Sequence, residues 1–494
     1  MDPLVIAALL LALLFLAHLR RFRSNGVVVR SWVFGLDHMW LQGNALRNSQ
    51  FVHFMKKRED KYGDTYQINM LGHPTIVTND KENIKAVLAA QFKEYGKGPD
   101  FQNMAKDVFG RSILSTDGEI WHFARGVLRV QFMKERLRDV AMFDKHTTRL
   151  LAKVTPGEPL DLLKELYKFT TDTGTDFLLG QSVENLLSPT EDPFSKALGF
   201  VQDHFAQRTL LGKWWRILPT TGEYKRSLET INNFLEPFIQ QALAIPVEEL
   251  RDRGDKELSF LELLACESQD HEFLRDQILS IHIGARDTTA CTLLWAFYLL
   301  STKPAAYQKL RKEVLSVVGV DGLPDSAALH EMRFLNRVIN EILRLRPTIP
   351  VNIRNALVDT TLPRGGGKSG DEPIHLQKGT SIMYSAYALH RNTHYHTMPD
   401  LEDFDPDRWE KWTPPTWSYL PWNGGPRICV GQAYAMHELK FVISRFVQRF
   451  SSIESFPQCD VHSYAPNAIL QPTVPTLIKF HAGGDVDELA IPSL

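Results

Sequence analysis

The chain has 494 residues, 44% apolar and 23% charged, with a formal net charge of −2 and a pI near 6.8. That balance excludes a disordered chain and leaves no overall basic field of the kind nucleic-acid binding uses. The four cysteines, Cys266, Cys291, Cys429 and Cys459, include no CxxC pair, which argues against structural zinc and fits a reducing compartment.

The amino end comes first. Leu4 to Leu19 are apolar apart from His18, and Arg20, Arg21 and Arg23 follow. As a helix this run spans about 24 Å, slightly short of a hydrocarbon core of roughly 27–30 Å. No basic region precedes it and no clear cleavage site follows, so it reads as an uncleaved anchor with the arginines held in the cytosol. Residues 1–23 are therefore expected to be a membrane anchor, 24–50 a linker and 51–494 one large domain.

Along that domain, Phe51 to Tyr62 has helical spacing. Tyr66 to Val77 reads as a hairpin broken at Gly72 and Pro74, and a helix is expected from Asp80 to Leu88. Phe92 to Leu114 reads as loop-rich. Helical periodicity then dominates from Asp117 to Leu243, with breaks at Pro156-Gly157, Gly180 to Pro193 and Pro219 to Gly222. Phe273 to Leu300 is apolar all round, so it should be a central buried helix about 42 Å long. Its middle nevertheless carries Arg286-Asp287-Thr288-Thr289, and buried charge is costly unless paired. Helices are also expected at 303–318 and 335–345, β character at 376–385, an aromatic, proline-rich meander at 406–421 and short strands from Ile453. The fold class is mainly α with small β-sheets.

One stretch stands out chemically. Trp422-Asn-Gly-Gly-Pro-Arg-Ile-Cys-Val-Gly431 breaks both helix and strand, and reads as a tight loop baring the Cys429 sulfur. A helical pattern starts at Gln432, so backbone amides and the helix dipole should favour a thiolate seeking a metal. Glu341-Ile-Leu-Arg344 lies on a mostly apolar helix, where the pair should be buried and networked. Three other patterns are set aside. Gly365-Gly-Gly-Lys-Ser369 lacks the spacing of a phosphate loop, His390, His394 and His396 sit in a polar turn, and Lys303 to Lys312 is a solvated face.

These residues together resemble the cytochrome P450 family of haem-thiolate monooxygenases. Trp422, Gly425, Arg427, Cys429 and Gly431 follow the cysteine signature, with Trp in place of the usual Phe. Glu341 and Arg344 match the Glu-x-x-Arg motif, and Arg408 matches the meander arginine that joins it. Trp121 and Arg125 match the propionate-binding helix. Gly284-Ala-Arg-Asp-Thr-Thr289 matches the oxygen-activating motif, with Ala285 at the usual glycine. The resemblance implies a P450 fold with haem b on the Cys429 thiolate. It implies propionate contacts from Trp121, Arg125, Arg354 and Arg427, and a proton relay through Asp287 and Thr288. An indole N–H at Trp422 would reach toward the sulfur and raise the iron potential.

The implied reaction inserts one oxygen atom of O2 into an unactivated C–H bond, with the cofactor carrying the hard chemistry. No flavin domain fits, so electrons should come from a separate NADPH-dependent reductase on the cysteine face. Arg125, Arg129, Lys134, Arg136, Arg138, Lys440 and Arg445 are the candidate docking cations. The anchor implies a single-pass protein of the endoplasmic reticulum membrane with a cytosolic catalytic domain. Stretches such as Ile113 to Trp121 and Thr361 to Gly367 resemble the fungal alkane and fatty-acid hydroxylase branch. Pocket candidates Ile281, His282, Asn352 and Ile353 include polar groups that an alkane does not need. Tailoring of a polyketide or terpenoid therefore stays open, as does a haem-thiolate isomerase or dehydratase that needs no reductase.

Overall fold

The computed structural model describes residues 25–31, 35–70, 73–132, 140–254, 257–456, 463–465 and 469–482. The expected anchor at 1–23, the hairpin's Gly72, Lys134, Arg136 and Arg138, and Cys459 lie outside them. Among the described residues no helix is long and apolar enough to cross a membrane.

The helices that build the site are α1 (Leu36–Arg47), α2 (Phe51–Tyr62), α3 (Gly98–Phe109), α4 (Gly118–Gln131), α5 (Leu162–Leu179), α6 (Pro193–Leu211), α7 (Gly222–Ala244), α8 (His271–Ser301), α9 (Arg333–Leu345) and α10 (Gln432–Arg449). The strands are β1 (Thr65–Met70), β2 (His73–Thr78), β3 (Tyr95–Gly96), β4 (Pro159–Asp161), β5 (Val351–Ala356), β6 (Thr360–Gly366), β7 (Glu372–Leu376), β8 (Ser381–Ser385), β9 (Phe450–Ser455) and β10 (Leu477–Ala482). They form a five-stranded sheet in the order β1-β2-β8-β5-β3, a three-stranded sheet β4-β10-β9 and the β6-β7 hairpin. The protein is thus mainly helical with small sheets.

Helix α8 is the axis. Asp270 caps its first turn by accepting from the Phe273 N–H, and α3, α5, α7, α9 and α10 all pack against it. Leu293, Leu294, Trp295, Ala296 and Phe297 are fully buried, as the absence of a polar face predicts. Helix α9 puts Leu335, Val338, Ile339 and Ile342 into the same core.

Two stretches differ from expectation. Residues 92–114, read as loop-rich, contain α3, because Pro99 at its first turn fixes a helical φ and Met104, Ala105, Val108 and Phe109 make a buried face. The stretch expected as linker, 24–50, contains α1, which packs against α2 and β1. The short strand β4 inside the helical half is completed only by pairing with β10.

Candidate functional site

The Cys429 loop is held by backbone. Gly425 adopts φ 67°, and a Cβ there would lie 1.9 Å from the Leu88 carbonyl oxygen, so a side chain is excluded. The Cys429 N–H donates to the Trp422 carbonyl (3.0 Å), which closes the loop. Arg125 Nη1 on α4 donates to the Ile428 carbonyl (2.8 Å). Helix α10 then begins one residue after Gly431.

Cys429 is exposed, yet protein surrounds the sulfur closely enough that desolvation is the largest influence on it. Burial raises the thiol above its ordinary value, against the Gly431 amide and the Arg125 charge, which both favour the anion.

Beside the loop sits a cluster of cations. Arg427 is flanked by the Trp121 ring, 4.5 Å from its guanidinium carbon, and donates to Asp117 Oδ1 (2.6 Å) and the Thr116 carbonyl (2.7 Å). Its Nε is buried with no partner among the described residues. Arg354, on β5, is buried and among the described residues donates to its neighbour's carbonyl at Ile353 (2.9 Å). Lys97, which the sequence reading missed, completes the group. Burial and then the charges of Arg354 and Arg427 push its ammonium well below the ordinary lysine range, with Asp117 opposing. Burial likewise lowers Arg427 to about 10, with Asp117 opposing and Arg354 adding to the fall. The Asp117 carboxylate is already engaged by the Lys97 and Gly98 amides (2.9 and 2.8 Å). Arg354, Arg427 and Lys97 thus gather around the one carboxylate of Asp117, a group short of anionic partners. A metal-bearing macrocycle with two carboxylate arms fits that donor set.

The centre of α8 faces open space. Gly284 is exposed in an otherwise buried helix, and Ala285 and Thr288 are half-buried beside it. A Cβ at Gly284 would meet nothing within 4 Å. The helix runs unbroken through Ala285, so the alanine costs no hydrogen-bonded turn. Thr288 Oγ1 donates to the Gly284 carbonyl (2.6 Å), the intrahelical bond typical of a helix-interior threonine.

Asp287 turns the other way. It accepts from Gln202 Nε2 on α6 (3.0 Å) and from Arg286 Nη1 (2.9 Å). Burial raises its carboxyl above the ordinary range, against the Arg286 charge. Arg286 is held in turn by Thr171 Oγ1 (3.0 Å) and by the Tyr167 ring (4.8 Å). The charge in the core helix is thus paired, as its burial requires.

Glu341 and Arg344 are fully buried and joined by two 2.8 Å bonds. Arg408 Nε and Trp409 Nε1 add donors to the same carboxylate at 2.8 Å each. His390 accepts from the Leu420 N–H (2.9 Å), tying this network to the meander. Among the described residues no group of His, Cys, Asp or Glu is placed to hold a metal ion as a cluster.

His282 lies against the Phe194 ring and Gly174 and lines a small recess with Leu235, Ile278 and Leu279, and burial lowers it to about 3. Several candidate docking cations are engaged within the chain: Arg125 on Ile428, Lys440 on the Leu329 carbonyl (3.4 Å) and Arg445 on Asp144 (3.4 Å). Arg129 stays exposed at the rim of a recess of about 370 Å³ that includes Arg125, Phe132, Val430 and Met436, next to the cysteine.

The comparisons agree with this geometry. The family profile for cytochrome P450 matches residues 34–480. "Cytochrome P450 monooxygenase pvhE" of Talaromyces variabilis is 38% identical over 92% of this chain and 89% of its own length. "Cytochrome P450 52A13" of Debaryomyces hansenii is 34% identical over 91% of each chain. "Cytochrome P450 52A3-B" of Candida maltosa is 35% identical over 81% of this chain and 79% of its own. The chain belongs to the cytochrome P450 superfamily and is a monooxygenase of that family.

Proposed function

We propose that the enzyme hydroxylates an apolar small molecule, a long-chain alkane or fatty acid, with O2 and electrons from a separate NADPH-dependent reductase. The observation that carries a haem site here is the exposed Cys429 sulfur in the loop that also brings Arg427 against Arg354 and Lys97, a basic cluster with Asp117 as its one carboxylate. Haem b bound there would supply oxygen activation, which an axial thiolate favours by donating electron density.

The chain's own residues would divide the remaining work. Cys429 holds the iron, and Gly425 with the Trp422 carbonyl fixes the loop that presents it. Arg427, Arg354 and Lys97, with Trp121 packed under Arg427, hold the carboxylate arms, to which arginine's fork is suited. Arg125 braces the loop from α4, and the Gly431 amide tunes the sulfur. Gly284 leaves space for a small ligand. Thr288, on releasing the Gly284 carbonyl, orders water there, and Asp287 is the neighbouring acid, its carboxyl raised by burial and held by Arg286 and Gln202. The reductase docks at the recess around Arg129, and the amino end holds the domain on the endoplasmic reticulum membrane.

A second reading, tailoring of a secondary metabolite, is favoured by the half-buried polar Asn352 beside Ile353 on β5. Similarity does not separate the two readings, since pvhE and the 52A enzymes match this chain at a comparable 34–38% identity. Coexpression with a reductase, followed by spectral binding and turnover of alkanes, fatty acids and host polyketides, separates the two. Hydroxylated lipid carrying label from O2 supports the first reading, and turnover confined to a polycyclic metabolite supports the second. Unlabelled, reductase-independent product overturns both.

A further inference from the structure

Three consecutive residues of the cysteine loop, Asn423, Gly424 and Gly425, each meet a different element. Asn423 Oδ1 accepts from the Tyr384 hydroxyl on β8 (2.9 Å). A Cβ on Gly424 would lie 2.7 Å from Cζ3 of the Trp417 ring, closer than real Cβ contacts come. Gly424 has extended backbone (φ −156°) that other residues adopt freely, so the ring, and not the turn, demands glycine there. Gly425 lies against the Leu88 carbonyl oxygen. Leu88 sits in a π-helical turn, Ala86–Ala90, closed by Gln91 donating to the Ala86 carbonyl (2.8 Å). Such turns are rare and are frequent at functional sites.

The three contacts share one base. Leu88 and Tyr384 belong to a second buried cluster with Ile76 and Ile382 of the five-stranded sheet, and Trp417 packs against it. Two of the residues also hold unusual backbone: Trp417 has φ 69° and Asn423 φ 63°. Asparagine tolerates the left-handed region, but a bulky tryptophan there is an outlier that its surroundings must impose. Its ring against Gly424 is what that conformation places.

The consequence reaches the sulfur through the main chain. Trp422, next to Asn423, supplies the carbonyl that takes the Cys429 N–H (3.0 Å), and Gly425 supplies the carbonyl that takes the Ile428 N–H (3.0 Å). Both acceptors border or belong to the gripped residues. Fixing 423–425 therefore fixes where 428 and 429 stand.

We propose that Trp417 and Tyr384 are positioning residues for the Cys429 loop: with the Leu88 carbonyl they form a seat that locks Asn423, Gly424 and Gly425 and so sets the place of the sulfur. This rests on the reading of Cys429 as the haem ligand given above.

The test uses the haem-loaded full chain as wild type, Tyr384→Phe, Asn423→Gly, Trp417→Gly and Gly424→Ala, with the Tyr384→Phe/Asn423→Gly and Trp417→Gly/Gly424→Ala doubles. The readout is the carbon monoxide spectrum of the reduced protein. Its thiolate-type band is followed as it gives way to the thiol type, well below each variant's own unfolding midpoint. A residue that merely stabilises the fold moves the midpoint and leaves this rate alone.

Tyr384→Phe deletes the hydroxyl and keeps the ring in the core. Asn423→Gly deletes the acceptor and keeps the left-handed turn. Each should speed loss of the band on the order of 5-fold, the worth of one neutral hydrogen bond, and their double should be no faster than either single. Trp417→Gly removes the ring and relieves the strained φ, so the band should be lost on the order of 10-fold faster even if the midpoint holds or rises. Gly424→Ala should also speed the loss, because its methyl displaces the ring, and should add nothing in the Trp417→Gly background.

A rate equal to wild type in Tyr384→Phe or in Trp417→Gly overturns the proposal, as does a Tyr384→Phe/Asn423→Gly double that multiplies the two single effects. If Trp417→Gly fails to fold, the Tyr384 and Asn423 variants decide by the same criteria. Cys429→Ser separates the two readings. A thiolate band that survives there removes Cys429 as the ligand, whereas a band lost there but unhurried in the seat variants removes the seat and leaves Cys429 standing.

Discussion

The Cys429 loop and the centre of α8 face one another in function but are built by opposite means. The loop is a backbone structure. Its glycine at 425, the Trp422 carbonyl and the Arg125 brace on Ile428 fix the sulfur through main-chain atoms. The centre of α8 is regular helix, and everything particular about it comes from side chains on other elements: Gln202 from α6 and Thr171 from α5. A backbone device fails abruptly when its one reactive residue changes. A side-chain network fails by degrees, as each partner is removed.

Replacing Cys429 by Ser gives the largest expected effect. The sulfur is the one accessible thiol among the described residues of the site, so its thiolate-type carbon monoxide spectrum and all monooxygenase turnover should vanish. A retained thiolate spectrum would move the ligand elsewhere and end the contrast drawn above. Next comes Glu341→Gln. It leaves Arg344 buried without its counter-charge and turns one of the two oxygens that accept from Arg344, Arg408 and Trp409 into an NH2 donor. Breaking one partner of a buried pair costs about 3–5 kcal/mol, so loss of folded, haem-retaining protein is expected in thermal unfolding. Survival with wild-type stability would show that the meander holds the loop without this hub.

The α8 side should respond in steps. Asp287→Asn can keep the bond from Arg286 but sets an NH2 against the Gln202 donor and removes the acid, with an expected fall in turnover of about 10²-fold. Thr288→Ala should cost product per NADPH more than it costs NADPH consumption, since the hydroxyl orders water and does not accept electrons. Equal losses in both would assign Thr288 to the intrahelical bond it makes with Gly284 and nothing more.

The two regions also differ in how far the sequence reveals them. Cys429, Gly425, Arg427 and the Glu341–Arg344 pair lie in short contiguous patterns whose spacing is itself the chemistry, so they are legible without coordinates. Helix α8 is legible as buried, because it has no polar face. Lys97 is not, since a lysine between Gly96 and Gly98 reads as a loop cation until β5 and the cysteine loop bring Arg354 and Arg427 against it. Contact order, more than composition, separates what was visible from what was not.

Lys97→Met probes the seam between the two regions. It removes one of three crowded cations, so the haem-free chain should gain stability while haem retention falls on the order of 10-fold, the worth of one charge-assisted bond. Stability and haem retention that rise together would mean the lysine faces solvent in the loaded enzyme.

The smallest effect belongs to Trp422→Phe. The loop's hold on Trp422 is through its carbonyl, which accepts the Cys429 N–H, and phenylalanine supplies the same carbonyl. The indole is only half-buried and packs at the edge of the main core, so removing part of it should cost little stability. What phenylalanine lacks is the indole N–H, the donor that the resemblance expects to reach toward the sulfur. A donor there withdraws electron density from the thiolate and raises the iron potential, so its loss should lower that potential while haem stays bound. Redox titration of the two proteins under one buffer decides the point. An unchanged potential would make the ring a packing residue and leave the sulfur tuned by backbone alone, the sharpest form of the contrast with the side-chain network on α8.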